Sequence, residues 1–225
     1  MLVERFKVEI AKFVDIIDMG HLHWILGIEV GRIHEDQKLL LSQKSYIDFI
    51  LQRYSFEDLK PITTPMDPNI QLTSAPSPST TEEIAAMNMP YLEAVGSLMY
   101  VTLGTRPDIY FAVHTVSRFN SNPGLVHWEA VKRIFHYLKG TKNLWLGYEG
   151  VTKELVGYAE ADGSMDEDRK AISGYAFLIS TVSWSTKHQE LISLSTTKSE
   201  YIATTYPAKE ALWFQLIILQ TFGIT

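Results

Sequence analysis

The acidic residues with the clearest potential for chemistry lie in the segment VGYAEAD, residues 156–162. Its alternation predicts a buried strand, with Glu160 and Asp162 projecting from one face. Burying two carboxylates costs free energy unless a cation meets them, and paired carboxylates on a strand suit a magnesium-dependent phosphoryl-transfer site. The same spacing also describes two solvated acids at a strand end, and spacing alone favours that simpler interpretation.

Basic residues with the potential to contact phosphates lie on a predicted helix over residues 127–139. Its apolar positions recur at helical spacing and are Val131, Ile134, Phe135 and Leu138. Its outward face carries Lys132, Arg133, His136 and Lys139. Gly140 stands where a C-terminal cap is expected. Lys132, Arg133 and Lys139 are candidates for binding a nucleic-acid backbone, although an ordinary solvated face has the same pattern.

Composition limits the classes of protein to consider. With 46% apolar and 20% charged residues, the 225-residue chain can bury a core in one or two domains. The net charge of −6 argues against a freestanding nucleic-acid binder but leaves room for a local basic patch. The absence of cysteine excludes disulfides, thiolate zinc sites and a cysteine nucleophile. The N-terminus is too charged for a signal peptide and no apolar run is long enough to cross a bilayer, so we expect no membrane partner and a cytoplasmic or nuclear location.

Periodicity predicts the elements that position these residues in the N-terminal part. Residues 24–30 and 38–43 alternate as the two strands of a β-hairpin around the polar turn 31–37. A helix is predicted from Ser45, with Asp48 as its capping partner. Its apolar face consists of Ile47, Ile50, Leu51 and Tyr54.

The middle of the chain is predicted to be helical after two irregular stretches. Residues 60–68 contain several prolines and should run extended, and the low-complexity run 74–83 predicts a flexible linker. Helices are predicted over residues 91–103 and 109–119, with Pro107 between them. Near the C-terminus an apolar stripe is expected in the core and consists of Leu212, Leu216, Leu219 and Phe222.

Motifs in a fixed order along nearly the whole chain resemble the polyprotein of copia-type LTR retrotransposons. The first are LGIEV (26–30), LSQKSYI (41–47) and TPM (64–66). The middle of the chain has VGSLMYVTLGTR (95–106), PDIYFAVHTVSRF (107–119), NP (122–123) and HWEAVKRIFHYLKGT (127–141). The last are GY (157–158), DRK (168–170), SGY (173–175), SWS (183–185) and LSTTKSEYIA (194–203). So many ordered matches make a chance similarity very improbable.

The resemblance implies the C-terminal part of a reverse transcriptase followed by the N-terminal part of a ribonuclease H domain. Residues 1–44 match the end of the palm, 45–73 a thumb-like region, 74–90 a flexible linker, 91–145 a helical connection-like region and 146–225 a truncated ribonuclease H-like domain. The family's polymerase aspartates stand upstream in a Tyr-x-Asp-Asp turn. This sequence has no such turn, so we expect no template copying by the chain alone.

The ribonuclease H of this family hydrolyses the RNA strand of an RNA–DNA hybrid with two Mg²⁺ ions held by four acids. By resemblance the first acid falls on Glu160 and the second on Glu200, while Asp162 matches an additional, weaker acid. The remaining two are expected beyond residue 225. Glu160 and Glu200 are thus an incomplete candidate set for catalysis and metal binding. From spacing alone, Thr197 and Glu200 also form a capping box, which gives Glu200 a structural alternative.

Departures from the family pattern weaken the catalytic expectation. Glu160 replaces an aspartate, and its extra methylene shifts the oxygens of a site that tolerates little misplacement. Pro207 interrupts what the family has as one continuous helix, at a cost of about 3 kcal/mol. We therefore expect weak or absent magnesium binding and a decaying copy of the ancestral enzyme.

The resemblance also sets the expected fold, which is α+β. It has an N-terminal β-hairpin, a helical thumb- and connection-like centre, and a partial ribonuclease H-like fold. In the last part, strands at 154–161, 173–179 and 182–187 form an antiparallel sheet with one helix packed on it, leaving an open edge for a protein partner. Three functions stay open: an inactive polyprotein fragment, a nuclease completed in trans, and a non-enzymatic module that binds protein or nucleic acid such as an RNA–DNA hybrid.

Overall fold

The computed structural model describes residues 2–80, 89–149, 155–162, 170–178, 181–193 and 195–222. Within these ranges the chain is α+β, with two antiparallel sheets and a helical centre. The strands are β1 (Trp24–Ile25), β2 (Ile28–Ile33), β3 (Lys38–Ser42), β4 (Leu146–Glu149), β5 (Val156–Asp162), β6 (Ile172–Leu178) and β7 (Thr181–His188). The helices are α1 (Leu2–Ile10), α2 (Lys44–Arg53), α3 (Tyr91–Gly104), α4 (Tyr110–Ser117), α5 (Leu125–Thr141) and α6 (Thr196–Phe222), with a 3-10 turn (Pro107–Ile109) before α4.

The first sheet has the strand order β1-β2-β3-β4 and contains the predicted hairpin. β2 and β3 pair antiparallel up to Ile33 and Lys38, so the turn spans only residues 34–37. The prediction of one strand over residues 24–30 is wrong. Leu26 and Gly27 have φ of 49° and 73°, a left-handed conformation that ends β1 and turns the chain into β2.

The short strand β4 returns the chain from the helical centre to the N-terminal sheet. Its residues 146–149 pair antiparallel with residues 38–41 of β3. Periodicity does not predict this strand, because four residues give too short an alternation to distinguish. The N-terminal hairpin and the end of the helical centre are therefore joined by backbone hydrogen bonds.

Helices α2 to α5 enclose the main hydrophobic core. The apolar face predicted for α2 is confirmed, since its three aliphatic members are buried and Tyr54 packs 5.5 Å from Phe135 between ring centroids. The four apolar positions predicted on α5 are also buried. The helices predicted over 91–103 and 109–119 are confirmed to within two residues by α3 and by the 3-10 turn with α4.

Two predicted helix ends differ from the structure. α2 has no side-chain cap, and Asp48 instead forms ion pairs with Lys44 at 2.6 Å and Lys142 at 2.5 Å. α5 continues past Gly140, which is therefore not the C-terminal cap. A Cβ atom at Gly140 would lie 3.0 Å from the Cβ atom of Pro61. A glycine at position 140 therefore allows α5 and the segment around Pro61 to approach closely, and it does not form a turn.

The second sheet has the order β5-β6-β7, and α6 packs on one of its faces. The three strands expected from the resemblance are confirmed to within two residues, with residues 154 and 179 outside the described ranges. α6 is continuous through Pro207. Among the described helices, none combines the length and apolar character needed to cross a membrane. The ribonuclease H-like assignment of this part stays a prediction.

The apolar stripe of α6 is exposed. Leu212, Leu216 and Leu219 have between 43% and 62% of their surface open to solvent. The prediction that they belong to the core is wrong, because α6 contacts the sheet through other positions, among them Phe214 at 5.5 Å from Phe177 between ring centroids. The side chain of Phe222, the fourth predicted member, lies outside the described ones.

The described part of the predicted linker contacts the helical centre. Pro78 is buried, and its carbonyl accepts a hydrogen bond from Asn122 Nδ2 at 3.0 Å. Residues 81–88 lie outside the described residues. The flexibility of residues 74–90 as a whole therefore stays a prediction.

Candidate functional site

The strand that carries Glu160 and Asp162 is exposed. β5 lies at the edge of the second sheet, and among its seven residues only Ala161 is buried. The prediction of a buried strand is wrong, because in the described part of the chain β6 is the one strand that pairs with β5. The two carboxylates therefore need no cation to offset a cost of burial.

Alternation along β5 places the side chain of Glu160 on the sheet face opposite to α6. A Cβ atom at Gly157 would meet the ring of Phe177, and Phe177 contacts Phe214 of α6. Position 157 therefore faces α6. The side chain of Glu160, three residues further along the strand, points to the other face, and Asp162 points the same way as Glu160.

Glu200 is exposed near the start of α6, and it is not a capping residue. α6 begins at Thr196, and Ser195 Oγ accepts a hydrogen bond from the backbone N–H of Lys198 at 3.2 Å. The predicted capping box of Thr197 and Glu200 is wrong, because both residues already lie inside the helix. The cap is two residues earlier than the sequence pattern indicates.

The described residues do not assemble a magnesium site. Glu160 projects from the sheet face turned away from α6, whereas Glu200 is carried by α6 itself. Across the described ranges, no three His, Asp or Glu side chains are grouped closely enough to hold a metal ion. Mg²⁺ is usually held by one or two carboxylates together with waters, and Glu160 and Glu200, which lie on opposite sides of the second sheet, are not placed to share one ion. The assignment of Glu160 and Glu200 as catalytic and metal-binding residues stays a prediction.

Glu160 lines a cleft between the second sheet and the start of α4. The cleft has a volume of about 400 Å³ and is bordered by Asp108, Tyr110 and Trp184 as well. The indole N–H of Trp184 donates to the carbonyl of Thr102 at 3.2 Å, which fixes β7 against α3. The predicted first acid therefore faces the helical centre and not the helix that carries Glu200.

The basic face of α5 lies under an irregular segment of the chain. Arg133, His136 and Lys139 are half-buried, and each donates a hydrogen bond to residues 57–64. Lys132 forms an ion pair within α5 itself. The prediction that this face points into solvent is wrong. The part of Lys132, Arg133 and Lys139 in nucleic-acid binding stays a prediction.

Sequence patterns did not reveal a buried polar network at the turn between α3 and α4. The guanidinium of Arg106 is almost fully buried and donates two hydrogen bonds to Asp108, at 3.0 and 2.7 Å. It also donates to the carbonyl and hydroxyl oxygens of Thr141 at the end of α5. The Tyr137 hydroxyl donates to Asp108 at 2.8 Å. The one signal in the sequence is the position of Arg106 and Asp108 on either side of Pro107.

The electrostatics of Asp108 follow from this network. Burial alone raises the pKa of a carboxyl group, because it disfavours the charged form. The hydrogen bonds and positive charge of Arg106, helped by the Tyr137 hydroxyl, outweigh burial and lower the pKa of Asp108. The network thus holds a charged pair that joins the α3–α4 turn to the last turn of α5.

Proteins encoded by transposons are similar to this chain. It is 43% identical to the Retrovirus-related Pol polyprotein from transposon TNT 1-94 of Nicotiana tabacum, over 99% of the chain and 17% of that protein. It is 35% identical to the Retrovirus-related Pol polyprotein from transposon RE1 of Arabidopsis thaliana, over 94% of the chain and 14% of that protein. An uncharacterized mitochondrial protein of Arabidopsis thaliana is 31% identical, with 94% of the chain and 86% of that protein covered.

These similarities identify an α+β chain that is homologous to part of transposon Pol polyproteins. More particularly, the chain belongs to the family of retrovirus-related Pol polyproteins from transposons. It spans about a sixth of the length of the Pol polyproteins it matches. No protein-family model and no solved structure matches it.

Proposed function

We propose that the chain is a copia-type segment that joins the end of a reverse transcriptase to the start of a ribonuclease H domain. In this proposal it binds an RNA–DNA hybrid and does not cleave it. Its ancestral roles are RNA-templated DNA synthesis and hydrolysis of the hybrid. The order of family motifs along the chain supports the assignment, as does the three-stranded sheet followed by a long helix.

The main support for the proposed absence of cleavage is the separation of Glu160 from Glu200. Hydrolysis with two metal ions needs carboxylates that converge on the same pair of ions. Here one carboxylate leaves the sheet on the face away from α6 and the other leaves α6. A site displaced by even one ångström loses much of its rate, so this arrangement supports binding without catalysis.

The cleavage test uses a labelled RNA–DNA hybrid with Mg²⁺ or Mn²⁺, and compares the wild-type chain with Glu200→Gln. We expect intact RNA from both proteins, beside complete cleavage of the same hybrid by an added ribonuclease H. Cleavage by the wild type that disappears in Glu200→Gln would overturn the proposal.

The binding test measures fluorescence anisotropy of the same hybrid at several salt concentrations. Lys132→Ala combined with Arg133→Ala is expected to weaken binding and to reduce the slope of log K against log salt by about one for each lost phosphate contact. Lys12→Ala is the matched control, because it removes an exposed charge paired only with Glu9 in the described structure. Equal binding by the double variant and the control would contradict a role for α5.

The open edge of β5 favours a second candidate, a nuclease completed in trans by another chain. An exposed edge strand presents unpaired backbone groups, and a protein partner can add a strand to it. The edge runs along Val156–Asp162 and carries Glu160. Tyr158→Lys, which adds a charge at an exposed position of this edge strand, is expected to weaken such pairing, as measured by analytical ultracentrifugation with the candidate partner.

A further inference from the structure

Residues 57–72, here called the strap, cross the basic face of α5 without forming a helix or strand. Both ends of the strap are anchored in the core. The ring of Phe56, just before it, lies 5.1 Å from that of Phe135, and Leu72 at its other end is buried. Between these anchors most of the strap residues are exposed.

Polar contacts to the basic side chains hold the strap on α5, in addition to Leu59 and Met66, which pack against the core. Lys139 Nζ donates to the carbonyl of Glu57, and His136 Nδ1 donates to the carbonyl of Lys60 at 2.6 Å. Arg133 Nη2 donates to Thr64 Oγ1 at 2.9 Å. The three donors therefore end on neutral oxygens of the strap.

Packing beneath the strap is incomplete. A groove of about 380 Å³, open to solvent on one side, lies between the strap, α4 and α5, and is lined by Ile62, Met66, Val116 and Ile134 among others. Because the groove is open to solvent, the apolar side of the strap gains less from burial than a core segment does. The Nε atom of Arg133 is buried and has no hydrogen-bond partner among the described residues. Both features lower the free energy needed to lift the strap.

The strap carries a net negative charge, the same sign as a phosphate backbone. It contains three carboxylates, Glu57, Asp58 and Asp67, against the single Lys60. Asp67 lies 3.9 Å from Arg133 Nη1, at the limit of an ion pair. Phosphate oxygens carry more charge than carbonyl or hydroxyl oxygens and form shorter, stronger hydrogen bonds with arginine and lysine. A nucleic-acid backbone is thus a better partner for these donors than the strap.

We infer that the strap is a displaceable cover that closes the nucleic-acid-binding face of α5 in the free protein. A phosphate backbone binds when the strap lifts, and its oxygens replace those of Glu57, Lys60 and Thr64. The apparent affinity of the chain for a hybrid is then the intrinsic affinity multiplied by the fraction of molecules in which the strap is open. This inference rests on the proposed function, and it adds the regulation of that same site.

The experiment locks the strap with a disulfide. The chain has no cysteine, so Pro61→Cys with Gly140→Cys can form one bond only. The Cβ atoms at these positions lie 3.0 Å apart, about 0.8 Å closer than the average in disulfides, so the strap must move slightly outward to form the bond. We expect the oxidised variant to bind a labelled RNA–DNA hybrid about tenfold more weakly, or worse, than the same variant reduced with dithiothreitol. Each single cysteine variant, treated identically, controls for oxidation.

The outcomes separate the strap from the function. Equal affinity of the oxidised and reduced forms would show that the strap does not cover the binding face, while the proposed binding function would still hold. Failure of the wild-type chain to bind the hybrid at low salt overturns the proposed function itself. A second variant, Thr64→Val, loosens the strap without a disulfide by removing the acceptor of Arg133. It is expected to bind several-fold more tightly than the wild type, since opening becomes easier. Unchanged or weaker binding by Thr64→Val counts against the inference.

Discussion

The helical centre and the second sheet differ in how completely they bury their apolar residues. Ile134 and Phe135 of α5 have at most 1% of their surface exposed, and they lie in a core built by four helices. On α6, Leu212 and Leu216 are more than half exposed, although they recur at the same helical spacing. An apolar stripe therefore shows that a helix has one apolar face, and the neighbouring elements decide whether that face is covered.

The same contrast applies to the charged residues. The cations of α5 are half-buried under the strap, whereas Glu160 and Glu200 are exposed. The cations on the basic face of α5 thus find partners within the chain, while the second sheet and α6 present an edge strand, an apolar stripe and two acids to solvent. We therefore expect substitutions in the two regions to have different consequences.

The largest difference is expected for large-to-small substitutions in the two regions. Phe135→Ala removes a ring that packs against Tyr54 and Phe56, and should reduce the free energy of unfolding by about 3–5 kcal/mol. Leu216→Ala is the matched change on the exposed stripe and should cost less than about 0.5 kcal/mol. Urea denaturation followed by circular dichroism measures both. Similar losses would show that the stripe of α6 is covered in solution, for example by a second copy.

An intermediate effect is expected at the buried ion pair. Asp108→Asn leaves the guanidinium of Arg106 buried without its charge partner, and should cost about 1–3 kcal/mol, less than a fully buried pair because Asp108 is one-third exposed. Asp58→Asn, at an exposed position, is the control and should be neutral. Because the folded pKa of Asp108 is lowered, its contribution is present above the unfolded value near 4 and is lost as pH falls further. A wild-type stability that is flat below pH 4 would contradict this.

The smallest effect concerns the contact between the two regions. His114 of α4 and His188 of β7 stack with ring centroids 5.8 Å apart. Burial, and then the charges of His188 and Arg118, lower the pKa of His114. The unfolded chain therefore binds more protons, so stability falls as pH drops below the ordinary value near 6.5. Tyr110, on the same helix, stacks with His114 at 6.5 Å between ring centroids.

The measurement is the urea midpoint at pH 8 and pH 5 for the wild type and for His114→Asn. The loss on acidification should be smaller than the Asp108 effect, and the variant should lose less than the wild type. His136→Asn, which changes a histidine whose contacts lie within the helical centre, serves as the control. An identical pH dependence in all three proteins would show that His114 does not contribute to the loss of stability on acidification.

Local periodicity was enough to predict the helices of the centre and the buried face of α2, because neighbouring residues alone determine which side of a helix is apolar. It failed where distant residues decide. Gly140 has the type of a helix cap, yet Pro61 from a remote segment explains it. Thr197 and Glu200 have capping-box spacing, but Ser195 provides the cap.

The candidate site shows the same limit. The sequence and its family resemblance named Glu160, Glu200 and the cations of α5, and all of them are found on regular elements. Their surroundings depend on long-range packing that a single sequence does not encode in short patterns. No pattern within residues 57–72 predicts that this segment lies across α5, because its polar contacts are with residues about 70 to 80 positions away.

The pairing of β4 with β3 has a consequence for the order of assembly. The first sheet is complete only when residues 146–149 pair with residues 38–41, and roughly 100 residues separate the two segments. At synthesis rates of about 5–20 residues per second, the hairpin stands on the ribosome for about 5–20 s with an unpaired edge. During that interval α2 to α5 emerge and can form their local contacts first. The helical centre is therefore expected to fold before the first sheet is complete.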